Sequence, residues 1–203
     1  PIDPISGLVS SDLNGSNPEL VVNLADYGID NGVIKSINLD LVHNHLYLTQ
    51  IKVDDPSQTG IFRFDLNPGT GKASNPKKLF ENDIFFPIDI KLDVETGRIF
   101  IVENLFQNND GKLWIGNMDE TGPLSLITQK QLIWHLDIDL ETELIYYHSA
   151  FPYEIRRIGF DGSGDTAIFS FDDILQDFEI LSGPLANTTQ TSTSPSIKVR
   201  TYT

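Results

Sequence analysis

The stretch LIYYHSAFPYEIRRIGFDGSG, residues 144–164, decides the fold, because it belongs either to one hairpin of an ordinary β-protein or to one copy of a repeat. Two runs rich in β-branched and aromatic residues flank Ala-Phe-Pro, and the second run ends in Asp-Gly-Ser-Gly. The runs are typical of β-strands and the ending is typical of tight turns. The fold therefore depends on whether this pattern occurs elsewhere in the chain.

The segment that leads into this hairpin occurs three times. Alternating apolar residues end in aspartate, a polar turn follows, and an apolar run with an aromatic residue comes next. The copies are INLDLVHNHLYLTQ (37–50), IDIKLDVETGRIFIVEN (88–104) and LDIDLETELIYYH (136–148). In each copy the aspartate precedes the aromatic residue by seven positions, as in Asp40 and Tyr47, Asp93 and Phe100, and Asp139 and Tyr146. This shared register predicts three equivalent β-hairpins.

The second half of the stretch is repeated as well. A strand-like run followed by an acidic turn with glycine occurs in IFRFDLNPGTG (61–71), KLWIGNMDETG (112–122) and IRRIGFDGSG (155–164), and another apolar run follows each. Asp and Asn bond their own backbone in such turns, and glycine accepts a positive φ. GLVSSDLNGSNPELVVNL (7–24) is a fourth copy of this half alone. The repeated unit is therefore four short strands joined by turns.

The spacing of the repeat identifies the architecture. Asp40 and Asp93 are 53 residues apart and Asp93 and Asp139 are 46 apart, close to the ~40–50 residues of a four-stranded propeller blade. Insertions such as IKVDDPSQTG (51–60) account for the longer spacing. No helical periodicity interrupts the strands. The sequence predicts an all-β fold of β-propeller blades with four antiparallel strands each, about three and a half blades in all.

The half blade at residues 7–24 raises the question of completeness. One interpretation is that the chain is a piece of a larger ring, which the start at Pro1 rather than Met favours. The alternative is a four-bladed ring, in which DFEILSG (177–183) and SIKVRTY (196–202) supply the missing strands. We favour the larger ring and predict blades over residues 1–181. Residues 182–203 are then a Ser/Thr-rich linker that includes one extra strand.

The third copy resembles the YWTD β-propeller repeat of lipoprotein-receptor ectodomains, and the wider NHL and gluconolactonase-like propellers. YYHS (146–149) stands at the YWTD position and FDGSG (160–164) at the LDGS position, and the other copies read YLTQ (47–50) and FIVE (100–103). All three lack the final Asp of the motif, so the inter-blade bonds of that Asp are not carried over. The resemblance spans about residues 7–173 and implies a fold more than a function.

Composition limits the partners and the location. The chain has 29 acidic and 14 basic residues among 203, a net charge of −15, so it repels nucleic acid. It has no cysteine, which excludes disulfides, thiolate zinc sites and thiol catalysis. No apolar run approaches the ~20 residues of a membrane span. The acidity suits a saline or calcium-containing exterior, and the repeat style resembles modules of large secreted bacterial proteins, so we expect an extracellular or secreted protein.

Oxygen-rich turns suggest calcium as a cofactor. Asp161, Ser163 and Asp165 alternate in a glycine-containing turn, and calcium binds six to eight oxygen ligands. No bidentate Glu follows at the EF-hand distance, and an ordinary hairpin turn is the favoured alternative. His43 and His45 form an H-x-H that fits either a metal pair or a turn, and the turn is favoured because Asn44 aligns with Gly97.

Two further groups are candidates for binding. The gluconolactonase-like resemblance implies that Glu103 and Asn104 help to hold a divalent ion that polarises a lactone carbonyl and activates water; a solvated loop is the favoured alternative. Trp134, Phe151 and Tyr153 lie near predicted loops and form a candidate aromatic platform for a ligand. Packing of one blade on the next is the alternative for them.

These observations favour a non-catalytic extracellular interaction module that binds a protein or glycan through loops on one face. The alternative is a metal-dependent hydrolase of the lactonase type, which requires carboxylates that converge at the ring centre. A third interpretation is self-association through open propeller ends, because repeat arrays expose sheet faces unless they are capped.

Overall fold

The computed structural model describes residues 7–105, 108–172, 177–181 and 196–200. Within them the chain forms sixteen β-strands, and the only helical segments are two 3-10 turns, Leu24–Tyr27 and Pro56–Gln58. Most of the predicted linker, residues 182–195 and 201–203, lies outside the described residues. No described helix has the length and apolar character to cross a membrane.

The strands form five sheets in which consecutive strands are neighbours. The first pair is β1 (Gly7–Ser10) and β2 (Glu19–Asn23), and the last is β15 (Asp177–Leu181) and β16 (Ser196–Arg200). Between them lie three four-stranded sheets. The first consists of β3 (Val33–Asp40), β4 (His45–Ile51), β5 (Gly60–Leu66) and β6 (Ala73–Leu79), and the second of β7 (Pro87–Asp93), β8 (Arg98–Leu105), β9 (Asp110–Asn117) and β10 (Ser125–Gln131). The third consists of β11 (Ile133–Asp139), β12 (Leu144–Ala150), β13 (Tyr153–Gly159) and β14 (Thr166–Ser170).

These sheets confirm the predicted all-β fold of four-stranded antiparallel propeller blades. Three blades are complete, as predicted, and β1 and β2 form the predicted half blade. The two C-terminal strand candidates also form strands, and they pair with each other from Asp177 opposite Arg200 to Leu181 opposite Ser196. The described residues therefore contain two half blades, one more than the repeat count predicted. Membership of a larger ring stays a prediction.

The repeated aspartates explain the shared register. Asp40, Asp93 and Asp139 are 0%, 2% and 5% exposed. Each accepts hydrogen bonds from backbone N–H groups two to three residues later, and so satisfies the turn between the first two strands of its blade. Four residues after the aspartate, each turn has a left-handed residue: Asn44, Gly97 and Glu143, with φ of 57°, 73° and 53°.

The chain divides into two compact units: unit 1 is Pro1–Ile99 with Gly116–Pro123, and unit 2 is Phe100–Ile115 with Leu124–Thr203. In unit 1, Val22, Leu24 and Ile29 pack with residues of β4 and β5. In unit 2, Phe178 and Ile180 of β15 pack with Tyr146 and Ile155. The repeat predicts burial of the second-strand residues Leu48, Ile101 and Ile145, and all three are 0% exposed.

Candidate functional site

A pocket of about 400 Å³ lies within unit 1. Its wall includes residues of the turns β3–β4, β7–β8 and β9–β10 and side chains of β4 and β5. The lining residues are Asp40, His43, His45, Tyr47, Arg63, Thr96, Gly97, Asn117, Met118, Asp119 and Thr121. The volume falls within the ~300–1,000 Å³ typical of ligand sites.

The buried carboxylate of Asp40 organises one side of the pocket. Its Oδ1 accepts the backbone N–H groups of Val42 and His43 at 3.0 and 2.9 Å. Its Oδ2 lies 2.8 Å from His43 Nδ1 and 3.9 Å from His45 Nδ1. The turn that holds the imidazoles is therefore fixed by the same carboxylate that pairs with them.

The second copy of the repeat shows what is particular to this pocket. Asp93 occupies the position of Asp40, and its Oδ2 accepts hydrogen bonds from Thr96 and from Arg98 Nε and Nη2. Thr96 and Arg98 stand three and five residues after the aspartate, as His43 and His45 do in the first copy. The first copy thus has two titratable imidazoles where the second has a hydroxyl and a permanent cation.

His45 connects the carboxylate to the pocket wall. It is paired across the strands with both Asp40 and Asp65, and its Nε2 is 3.8 Å from Asp65 Oδ1. Burial and the charge of Arg63 lower the pKa of His45, although Asp40 and Asp65 act in the opposite direction. At neutral pH this imidazole is therefore uncharged and can both donate and accept a hydrogen bond.

The rest of the wall combines a cation, an aromatic ring and an apolar surface. Arg63 is paired with Tyr47 across β4 and β5, and its Nε is buried without a hydrogen-bond partner among the described residues. Burial raises the pKa of Tyr47, with Arg63 opposing. Met118 is buried and adds a thioether. Such a wall offers hydrogen bonds, a positive charge and apolar contact to one small group.

The rim of the pocket is fixed before any ligand arrives. Asn117 Nδ2 donates to Thr121 Oγ1 at 3.1 Å, and Thr121 donates to Asp119 Oδ1 from its N at 2.9 Å and its Oγ1 at 2.6 Å. These hydrogen bonds lower the pKa of Asp119. A preformed rim reduces the entropy that a partner must overcome on binding.

A turn lies at the H-x-H pair, as predicted. Asn44 takes the left-handed conformation that Gly97 takes in the next copy. The two imidazole rings stack at 6.4 Å. Throughout the described part of the chain, no three His, Cys, Asp or Glu side chains are grouped as a metal site would require.

The predicted calcium loop lies in unit 2, and its carboxylates have other partners. Asp161 Oδ1 accepts the Ser163 backbone N–H at 2.9 Å. Asp165 Oδ1 accepts Tyr147 Oη and Arg156 Nε, each at 2.9 Å, and its Oδ2 lies 2.7 Å from Lys130 Nζ. Calcium at Asp161, Ser163 and Asp165 stays a prediction, and calcium would have to displace these cations.

Glu103 and Asn104 also make structural contacts. Glu103 Oε2 accepts from Trp114 Nε1 at 3.1 Å, and Asn104 Oδ1 accepts from the Ile133 backbone N–H at 3.0 Å. Glu103 and Asn104 both lie in β8 and are 2% and 0% exposed, so the expectation of a solvated loop is wrong. Asn104 Nδ2 is buried with no hydrogen-bond partner within the described residues. Their role in holding a divalent ion stays a prediction.

The predicted aromatic platform is partly assembled. The rings of Phe151 and Tyr153 lie 5.5 Å apart, and Phe151 is 52% exposed. Trp134 is half-buried in β11. Phe151 is exposed and Tyr153 is half-buried, and such a pair is compatible with stacking on a ligand.

The unit 1 pocket was missed from the sequence except for its two histidines. Its lining residues come from positions 40–47, 63, 96–97 and 117–121, and no motif connects these segments. The available signal was comparative: His43 and His45 replace Thr96 and Arg98 of the next copy. A position of the repeat whose side-chain chemistry differs from one copy to the next indicates a candidate site.

Comparison with known proteins supports the fold. No family model matches the chain and no curated protein is similar to it. A chain in the crystal structure of a nidogen/laminin complex is similar over 76% of this chain and 53% of its own length, with a TM-score of 0.59 and 16% identity. This chain thus spans about half the length of that one.

Two further solved structures among the matches have lower TM-scores. A eukaryotic initiation factor matches 78% of this chain and 36% of its own, with a TM-score of 0.46 and 10% identity. The β-propeller domain of the trilobed protease from Pyrococcus furiosus matches 74% and 45%, with a TM-score of 0.44 and 8% identity. The nidogen/laminin likeness confirms the predicted β-propeller fold.

Proposed function

We propose that this chain is a non-catalytic extracellular interaction module that binds a protein partner through the turns lining the unit 1 pocket. The observation that carries the proposal is the pocket: three turns contribute to a preformed cavity of about 400 Å³. A cavity of this size accepts one or two side chains of a partner as anchors.

The chemistry of the wall supports a protein ligand. Arg63 and the imidazoles of His43 and His45 present donors, Asp119 presents acceptors at the rim, and Met118 presents apolar surface. A peptide segment offers all three kinds of complementary group. The similar chain in the nidogen/laminin structure belongs to a protein complex, which supports protein binding by this fold. The net charge of −15 supports an extracellular setting.

Binding rather than hydrolysis is supported by how the acidic groups are used. Asp40 holds the β3–β4 turn and His43. Asp119 holds the rim through Thr121. In unit 2, Glu103 is hydrogen-bonded to Trp114, although the lactonase interpretation requires it as a metal ligand.

The proposal can be tested by selecting, from a displayed library of random peptides, those that bind the whole chain. We expect the selected peptides to bind His43→Ala and Asp119→Ala at least about tenfold more weakly, a loss of about 1.4 kcal/mol. The matched control is Thr142→Ala, since Thr142 occupies the position of His43 in the third copy. Equal affinity for the wild type and both pocket variants would show that the ligand binds elsewhere.

A glycan is the second candidate ligand, favoured by the Phe151–Tyr153 pair in unit 2. Sugar faces stack on exposed aromatic rings. We expect a glycan array to yield ligands that are lost with Phe151→Ser and retained with His43→Ala. An array with no ligand, or ligands insensitive to Phe151→Ser, would contradict this.

A further inference from the structure

The first strand of the first complete blade has an apolar face that is exposed. Ile37 and Leu39 of β3 are 50% and 54% exposed. Counted back from the repeated aspartate, Ile37 is equivalent to Ile90 in the second blade and Leu136 in the third. Those two residues are 0% and 2% exposed. The repeat thus provides an apolar residue at a position that is covered in two blades and open in the first.

The open strip continues a surface that is already packed. Ile37 is paired with Leu48 and Leu39 with Leu46, and residues paired directly across antiparallel strands lie on the same face of the sheet. Leu46 and Leu48 are buried in a cluster with Val22 of β2. The half blade β1–β2 therefore covers the part of this face that β4 forms. Of the part that β3 forms, Ile34 packs against the same cluster, whereas Ile37 and Leu39 remain exposed.

The uncovered part is where the inner strands of another blade would lie. β1 and β2 correspond to the last two strands of the repeat, because residues 7–24 copy its second half. Among the described strands β1 pairs with β2 alone. One edge of β1 is therefore available for pairing, beside the exposed Ile37 and Leu39.

The hairpin β15–β16 is an inner pair of the kind required. Asn38, two residues before Asp40, donates from Nδ2 to Ile90 O on β7 at 2.9 Å. Asp137, two residues before Asp139, accepts at Oδ2 from Ile180 N on β15 at 2.8 Å. The contact of β15 with β11 is therefore equivalent to the contact of β7 with β3. Because β7 is the first strand of its blade, β15 is the first strand of a blade as well. β16 pairs with it as the second strand.

We propose that a second copy of this chain covers the open face: the β15–β16 hairpin of one copy pairs with β1 of the other and lies over Ile37 and Leu39. One copy thus supplies strands one and two of a blade, and its partner supplies strands three and four. The half blade β1–β2, beside the exposed Ile37 and Leu39, lacks two inner strands, and the hairpin β15–β16 of the other copy is a pair of inner strands. The two parts are therefore complementary. This inference goes beyond the proposed function and uses none of the pocket residues.

The charges of the hairpin are balanced, which favours it over an acidic partner for this acidic chain. Lys198 is paired with Glu179, and Arg200 with Asp177, across β15 and β16. The contact is head-to-tail, so it gives closed rings of two or more copies, or open assemblies where the ring does not close. Each copy has a net charge of −15, so added salt strengthens the association by screening the overall repulsion.

Analytical ultracentrifugation of the full chain over a wide range of concentration tests the proposal. We expect the weight-average mass to rise with protein concentration and, at fixed concentration, with sodium chloride. Ile37→Lys should remain at the mass of one chain. The matched control is Val53→Lys, which makes the same charge change at a residue that is 83% exposed, and it should associate like the wild type.

Hydrogen exchange locates the contact. Amides of Gly7–Ser10 should gain protection as the wild-type concentration rises, and they should not in Ile37→Lys. A wild type that stays at the mass of one chain overturns the proposal, whether the face is then covered within the chain or by another protein. Association that survives Ile37→Lys, or that leaves the Gly7–Ser10 amides unchanged, overturns it as well.

Discussion

The repeat allows the same mutation to be made at one position that is covered and one that is open. Ile90 and Ile37 occupy equivalent positions in the first strands of successive blades, and they are 0% and 50% exposed. Both lie in unit 1. Ile90→Ala and Ile37→Ala remove the same three carbon atoms, so any difference in stability reports the surroundings.

The expected costs follow from burial. Three carbons at about 0.8 kcal/mol each give a transfer cost of about 2.4 kcal/mol at Ile90. The cavity left behind raises the total, within the range of about 2–5 kcal/mol found for such truncations. At Ile37 about half of the transfer cost applies, roughly 1.2 kcal/mol, and water fills the space. We expect Ile90→Ala to cost at least about 1 kcal/mol more than Ile37→Ala.

Urea unfolding followed by far-ultraviolet circular dichroism, which reports the strands of both units, measures both costs. The slope m should be the same for both variants and the wild type, so that midpoints can be compared directly. The measurements belong at low protein concentration, where self-association is minimal. Equal costs at the two positions would refute the assignment of an open face to β3, and with it the premise of the self-association proposal.

Three further results are expected. Gly111→Ala should lower the free energy of unfolding in urea by about 1–3 kcal/mol, because the added Cβ would lie 2.3 Å from Ile133 N and 2.8 Å from Leu132 C. The control is Gly69→Ala, where the nearest atom to the added Cβ is Asn67 Oδ1 at 3.4 Å. Equal losses in the two variants would contradict the close approach at Gly111. Burial and the neighbouring His135 lower the pKa of His148 from 6.5 to about 4. Between these two pH values the unfolded chain binds more protons than the folded chain, so the free energy of unfolding should fall as the pH is lowered from 6.5 toward 4. His148→Leu should reduce that fall, and an unchanged fall would show that another group causes it. Because Lys130 and Arg156 already neutralise Asp165, calcium and sodium chloride at equal ionic strength should raise the melting temperature equally. A larger rise with calcium would instead support the calcium site predicted at Asp161, Ser163 and Asp165.

The strands and their register could be predicted because the residues that determine them lie close together in the sequence of each blade. An aspartate that caps its own turn, a left-handed residue four positions later and a buried aromatic residue seven positions later all lie within one hairpin, as in Asp40, Asn44 and Tyr47. These interactions span few residues, so they leave a pattern in the sequence. Repetition then makes the pattern visible without any relative for comparison.

The candidate sites were harder because they depend on contacts between distant residues. Asp165 looked like a free ligand in its turn, but Lys130 and Arg156 hold its carboxylate from 35 and 9 positions away. The pocket joins Asp40 to Met118 and Thr121. Which turns converge is set by blade packing, and a single sequence does not contain that information.

The consecutive order of strands in every sheet has a consequence for how the protein acquires its structure. Each of the described strands pairs only with its neighbours in the chain, so the first contacts close short loops and cost little chain entropy. Each blade can therefore form its meander as soon as its own residues are available. During synthesis the first complete blade is finished at Leu79, well before the later blades exist. Each later blade can then fold against the blade that precedes it in the chain.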